Sequence, residues 1–175
     1  MNRKAQGFAL IDLVFVCGII GLLASIALPR LTLAKSAAGA ASAIGSMRAI
    51  NSAELTFALT CGAGFYAPNL TSLAIAPAGS TEAFIGGGLA GADTVVKAGY
   101  IVKVEATAYG GAPPSCNGLA GGATAQGFKA GADPVDPQYA RYFATNANGA
   151  IYEDTSSLYA AMPESGEPAA GHPLR

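Results

Sequence analysis

A chain of 175 residues with 10 Lys and Arg, 11 Asp and Glu, one His and a net charge of −1 has room for one membrane segment and one modest folded head. Its charge balance excludes the basic footprint of a nucleic-acid binder, and no nucleic-acid partner is expected. Hydrophobic residues make up 51% and charged residues only 12%, about half the usual charged share, a composition that fits packing against copies of itself and equally fits Gly and Ala that simply fill loops.

The first seven residues, Met1-Asn2-Arg3-Lys4-Ala5-Gln6-Gly7, are polar and positive, which favours their retention on the cytoplasmic side of a membrane. Phe8 to Leu28 follow, 21 residues with Asp12 as their single charge. As a helix this run covers roughly 30 Å, one bilayer hydrocarbon core. A bare carboxylate inside it costs on the order of 3 kcal/mol on insertion scales, so Asp12 needs a compensating partner. Cys17, in the same run, reads as a small hydrophobe.

Three readings of this segment are open. As a secretory signal, Arg3 and Lys4 form the basic region and Ser25-Ile26-Ala27 a small-x-small cleavage site; Asp12 within the apolar core and Pro29 just beyond the cut speak against it. As a plain one-pass anchor, the length is explained and the acid is not. The third reading rests on resemblance: Gly7-Phe8-Ala9-Leu10-Ile11-Asp12-Leu13 resembles the prepilin leader and N-terminal helix of type IV pilins and type II secretion pseudopilins.

That resemblance implies cleavage after Gly7 by a prepilin peptidase and N-methylation of Phe8, with residues 1–7 as the leader. It places Asp12 at the fifth position after the cut, where the family carries an acid, and Pro29 at the twenty-second, where the family's helices carry a proline. The departures are Asp12 in place of the usual glutamate and Ala9 where threonine is common. The partners implied are copies of the chain in a helical filament, the peptidase and methyltransferase, an inner-membrane assembly platform, and lipid before assembly. The localisation implied is single-pass in the inner membrane with the head outside the cytoplasm, then a surface pilus or periplasm-spanning filament.

Physical chemistry gives Asp12 a role consistent with this. Cleavage before Phe8 creates an ammonium four residues from Asp12, one helical turn away, and an opposite charge at that range favours the ionised carboxylate. Within one helix the two groups could pair; the resemblance implies instead that the Asp12 carboxylate of one subunit meets the Phe8 amine of a neighbour and sets the axial stagger, making these two residues the candidate assembly determinants.

Pro29 lacks an N–H and kinks helix interiors, so a bend or a melted turn is expected at Ser25 to Pro29. Beyond it Ile44, Met47 and Ile50 recur at helical spacing and Leu55 and Leu59 extend that side, so the second half of the helix is read over residues 29–60. The whole helix, Phe8 to Leu59, would be about 75 Å long. Gly39 and Gly45 are flexible points, close-approach sites or tolerated small residues. Cys61-Gly62-Ala63-Gly64 should stop the helix.

The head is residues 61–175. Asn69 is placed to cap a short helical turn, and Asn69-Leu70-Thr71 matches a glycosylation sequon at a length where chance matches abound. Tyr100 to Thr107 is the clearest strand, alternating and β-branched. Gly110 to Gly131 read as loop, and Asp133-Pro134-Val135-Asp136-Pro137 as a solvated turn whose two acids could touch a calcium ion but form no recognisable ligand set by themselves. Tyr142 to Thr145 and Ala150 to Glu153 flank Asn146-Ala147-Asn148-Gly149, a hairpin signal that also resembles the closing hairpin of pilin-type heads. After Met162 the Pro-containing tail with His172 reads as a flexible end. If the head is exported, Cys61 and Cys116 would close a loop across 55 positions, although spacing alone does not establish the bond.

No nucleophile with a base, phosphate cradle or metal cluster is present in the sequence pattern, so no catalysis, cofactor or metal is expected. The fold expected is α+β: a long N-terminal helix, its first half membrane-spanning, packed by its second half on a small antiparallel sheet in a pilin-like arrangement.

Overall fold

The computed structural model describes residues 10–136 and 141–174. The fold is α+β, as expected: helix α1 (Leu10–Thr60) and a six-stranded antiparallel sheet. The chain divides into two compact units between Ala37 and Ala38. Residues 25–29 stay helical and Pro29 lies inside α1, so the expected melted turn does not form.

From Gly39 onward one side of α1 is buried. Ala40, Ala43, Met47, Ile50, Glu54, Phe57 and Cys61 alternate steps of three and four residues and are all buried, the seam spacing of a helix laid on a flat partner. Leu55 and Leu59, 54% and 75% exposed, do not extend this side. Each residue turns the helix by about 100°, so Leu55 is rotated well away from Glu54, and the short side chains of Ala53 and Ala58 fill the seam's flanks.

The helix stops where expected. The Cys61 and Gly62 amides both donate to the Phe57 carbonyl, the Gly64 amide donates to the Ala58 carbonyl, and Ala63 and Gly64 both take positive φ. A short helix α2 (Leu70–Leu73) follows, capped by the Asn69 side chain, which accepts from the Ser72 amide at 2.9 Å.

The sheet is a meander of β1 (Thr94–Lys97), β2 (Tyr100–Glu105), β3 (Lys129–Pro134), β4 (Tyr142–Asn146), β5 (Ile151–Asp154) and β6 (His172–Pro173), paired in chain order. Ala98 and Gly99 join β1 to β2 at φ of 51° and 84°, the two left-handed positions that match a two-residue hairpin to strand twist. The Asn146 to Gly149 hairpin forms as expected, the Gly149 amide donating to the Asn146 carbonyl and Thr145 pairing with Ile151.

Two expectations are corrected. The stretch read as loop and solvated turn contains β3, which pairs with both β2 and β4. Its Ala130 and Ala132 are fully buried in the core with Val102, Val104 and Phe143, so the strand is built from small residues that fit beneath larger neighbours and carries little hydrophobic signal of its own. The tail after Met162 is tied down: the Asn146 side chain donates to the Pro163 and Gly166 carbonyls, the Glu164 carboxylate accepts from the Thr107 amide at 2.7 Å, and β6 pairs with β5.

The sheet therefore has two covered faces. Tyr100, Val102, Val104, Ala130, Ala132 and Phe143 face α1. On the other face Leu158 and Met162 pack on Ala144 and Tyr152, and the Tyr159 ring lies over Gly131, where a Cβ would sit 2.7 Å from it. Lys103 and Lys129 approach that ring at 5.6 and 5.2 Å, and its hydroxyl donates to Glu105.

Candidate functional site

The site that the sequence singles out is the first part of α1. Gly7 and Phe8, the candidate cleavage and methylation residues, lie outside the described residues. Asp12 lies in the first turn of α1 and is exposed. Around it Leu10, Ile11, Leu13, Val14 and Phe15 are 53–80% exposed. The most apolar 18-residue window of α1 has mean hydropathy 2.5, and none of it is buried within the chain. The core helix of a water-soluble fold would bury such a surface in its own protein; here it is exposed within the chain. By length and composition α1 can cross a membrane. Cys17 is exposed in the same run.

Cys61 and Cys116 are bonded to each other, their Cα atoms 4.8 Å apart. The bond fastens the end of α1 to the loop after β2, where the Cys116 amide also donates to the Cys61 carbonyl.

No family model, curated protein or solved structure matches this chain. Its function is therefore read from its own residues.

Sequence reasoning passed over Glu54. It is fully buried in α1, its Oε2 accepts from the Ala67 amide at 2.9 Å, and its Oε1 has no partner. Burial pushes its pKa up to about 8, and the Ala67 amide offsets this only in part. The signal was available: Glu54 falls on the three-and-four spacing of Met47, Ile50 and Phe57, a place where a carboxylate has no water.

Beside the hairpin is a cleft of about 440 Å³ that includes Asn51, Leu55, Tyr66, Phe128 and Asn148 in its lining. Asn51 closes one side, its Nδ2 donating to Thr145 Oγ1 and to the Gly149 carbonyl at 2.9 and 3.0 Å. These bonds fix the hairpin to α1.

The remaining candidates have structural roles. Asn69 uses its carbonyl oxygen as the α2 cap and its amide toward Asp93. Asp133 belongs to β3, and its Oδ2 accepts from Ser157 Oγ at 2.7 Å. His172 pairs with Glu153 through β6. Arg141 holds the Glu153 carboxyl below its ordinary range through their paired hydrogen bonds. Among the described residues no group of three or more His, Cys, Asp or Glu is placed to hold a metal.

Proposed function

We propose that the chain is a structural subunit of a type IV pilus or pilus-like filament, cleaved after Gly7, N-methylated at Phe8 and polymerised through α1. The observation that carries this reading is the exposed apolar surface of α1 with Asp12 as its lone acid, four residues after Phe8 in the sequence. Before assembly the segment is held in the inner membrane, with Arg3 and Lys4 inside and the head outside the cytoplasm. On assembly the same surface passes from lipid to neighbouring helices in an open, head-to-tail polymer. The Asp12 carboxylate of one subunit then pairs with the Phe8 amine of the next, which lowers the cost of holding both charges in an apolar interior. A type II secretion pseudopilin would use the same segment, and a membrane-anchored binding module would use only its span.

The mass of the mature protein and the fate of Asp12→Ala test this together. A mature chain starting at methylated Phe8, with Asp12→Ala processed normally but missing from sheared surface filaments, is the expected result. A chain starting at Met1 leaves the plain anchor, and one starting at Leu28 leaves the secretory signal. Normal incorporation of Asp12→Ala sinks the assembly role of the acid. Purified filaments containing the chain as main component mark a pilus subunit, and short filaments seen only alongside a secretion system mark a pseudopilin.

A further inference from the structure

We propose that Glu54 is a proton-operated latch between the end of α1 and the segment that follows it, closed while its carboxyl is neutral and opened in alkaline surroundings. The inference does not depend on the filament reading. Glu54 has no exposed surface, one oxygen bonded to the Ala67 amide and the other buried without a partner. A neutral carboxyl meets this place at modest cost. A carboxylate there has one donor where water would supply several, and a buried, under-solvated charge is expelled or protonated.

Among the described residues no cation stands in for that solvent. Within one turn on α1 the neighbours, from Ile50 to Ala58, carry no other titratable side chain. On the 61–69 segment the groups are the disulfide-bonded Cys61 and Tyr66, and α2 has none. On the sheet face toward α1 the register places Lys97 of β1, Tyr100 of β2, Glu153 of β5 and His172 of β6, Glu153 having Arg141 as its partner, and none of them forms an ion pair with Glu54. Burial and the Ala67 amide alone govern Glu54.

The segment beyond the joint is held on its far side by the loop after β2, where Tyr66 and Ala125 exchange two backbone hydrogen bonds and the Ala106 amide donates to the Pro68 carbonyl, so Glu54 is the side-chain bond that holds it to α1. Glu54 bonds across the Cys61-Gly62-Ala63-Gly64 turn, and the Cys61–Cys116 bond anchors the turn's start. Deprotonation, with the proton passing to solvent, therefore favours separation of residues 65–68 from α1 and leaves the anchored end in place. In the opened joint the carboxyl titrates at its ordinary value of 4.5, and in the closed joint near 8. The closed form binds the extra proton between those values, so its stability is complete below 4.5, falls as pH rises between them, and levels off above about 8. Opening grows by up to tenfold per pH unit across that window.

The test is hydrogen exchange at the Ala67 amide in the full chain in detergent micelles, corrected for intrinsic rate, from pH 5 to 8.5. The expected result is a protection factor that falls by up to tenfold per unit in the wild type and stays flat in Glu54→Gln, whose amide keeps the acceptor and cannot ionise. A ¹³C titration of the wild-type Glu54 carboxyl supplies a second reading, with its midpoint expected far above the ordinary carboxylate range, and it decides alone if Glu54→Gln fails to fold. Equal slopes in both proteins, a flat wild-type profile, or a midpoint near the ordinary value overturns the proposal.

Discussion

A Cβ placed on Gly62 would lie 2.1 Å from the Phe65 carbonyl oxygen and 2.8 Å from the Phe57 ring, and a backbone atom in a turn tied by a disulfide has little room to yield. Gly62→Ala is expected to destabilise the head by about 3 kcal/mol, the range of severe overpacking. Gly45, on the exposed side of α1, has open space where a Cβ would point, with no neighbouring atom within 4 Å, and Gly45→Ala is expected to stabilise by up to about 1 kcal/mol through helix propensity. Thermal unfolding of the two variants checks both signs in one experiment. Gly39 is intermediate in kind: its Cβ would lie 2.9 Å from the Ala98 carbonyl, so of the readings open for the two glycines, close approach holds at Gly39 and tolerance at Gly45. Such roles were not legible beforehand, because a glycine's neighbours across the fold decide them. Glu54 was legible, since its place on the buried spacing of α1 can be counted from the chain.

At the scale of elements, α1, β2 and the β4–β5 hairpin could be read because each carries a local pattern: helical spacing, strand alternation, an Asn-Gly turn. Strand β3 could not. Lys129-Ala130-Gly131-Ala132-Asp133-Pro134 has no bulky apolar residue, and its smallness is explained by Tyr159 on one face and the α1 side of the core on the other. Sequence periodicity reports what a strand brings to the core, whereas β3 is defined by what its partners bring. The Cys61–Cys116 bond belongs to this scale too, since it joins a helix end to a loop whose course nothing local determines. It spans 55 positions, and constraint of the unfolded chain over a loop of that length is worth about 4 kcal/mol before strain. Replacing both cysteines by serine is expected to lower stability by roughly that amount, measured by denaturant unfolding of the full chain in micelles. A change below about 1 kcal/mol would assign the joint's rigidity to the Phe57 and Ala67 packing instead.

For the whole molecule, the two units make different demands on their surroundings. From Ala38 onward the chain carries its own core of helix and sheet, while the first part of α1 buries none of its most apolar window. What covers that surface was the question the sequence raised, and the fold of a single chain restates it in sharper form. If lipid covers it first, with the head exported, then Val16→Arg with Ile20→Arg, both in the middle of the run, costs about 6 kcal/mol of insertion. The variant chain is expected to leave the membrane fraction and remain inside the cell. The head reports its own location, because a disulfide forms in an oxidising compartment and stays reduced in the cytoplasm. Thiol labelling of Cys61 and Cys116 is therefore expected to find them bonded in the wild type and free in the double variant. A bonded pair in both proteins, with the variant still in the membrane fraction, would mean that α1 does not deliver the head across a bilayer, and the filament reading would lose its first step.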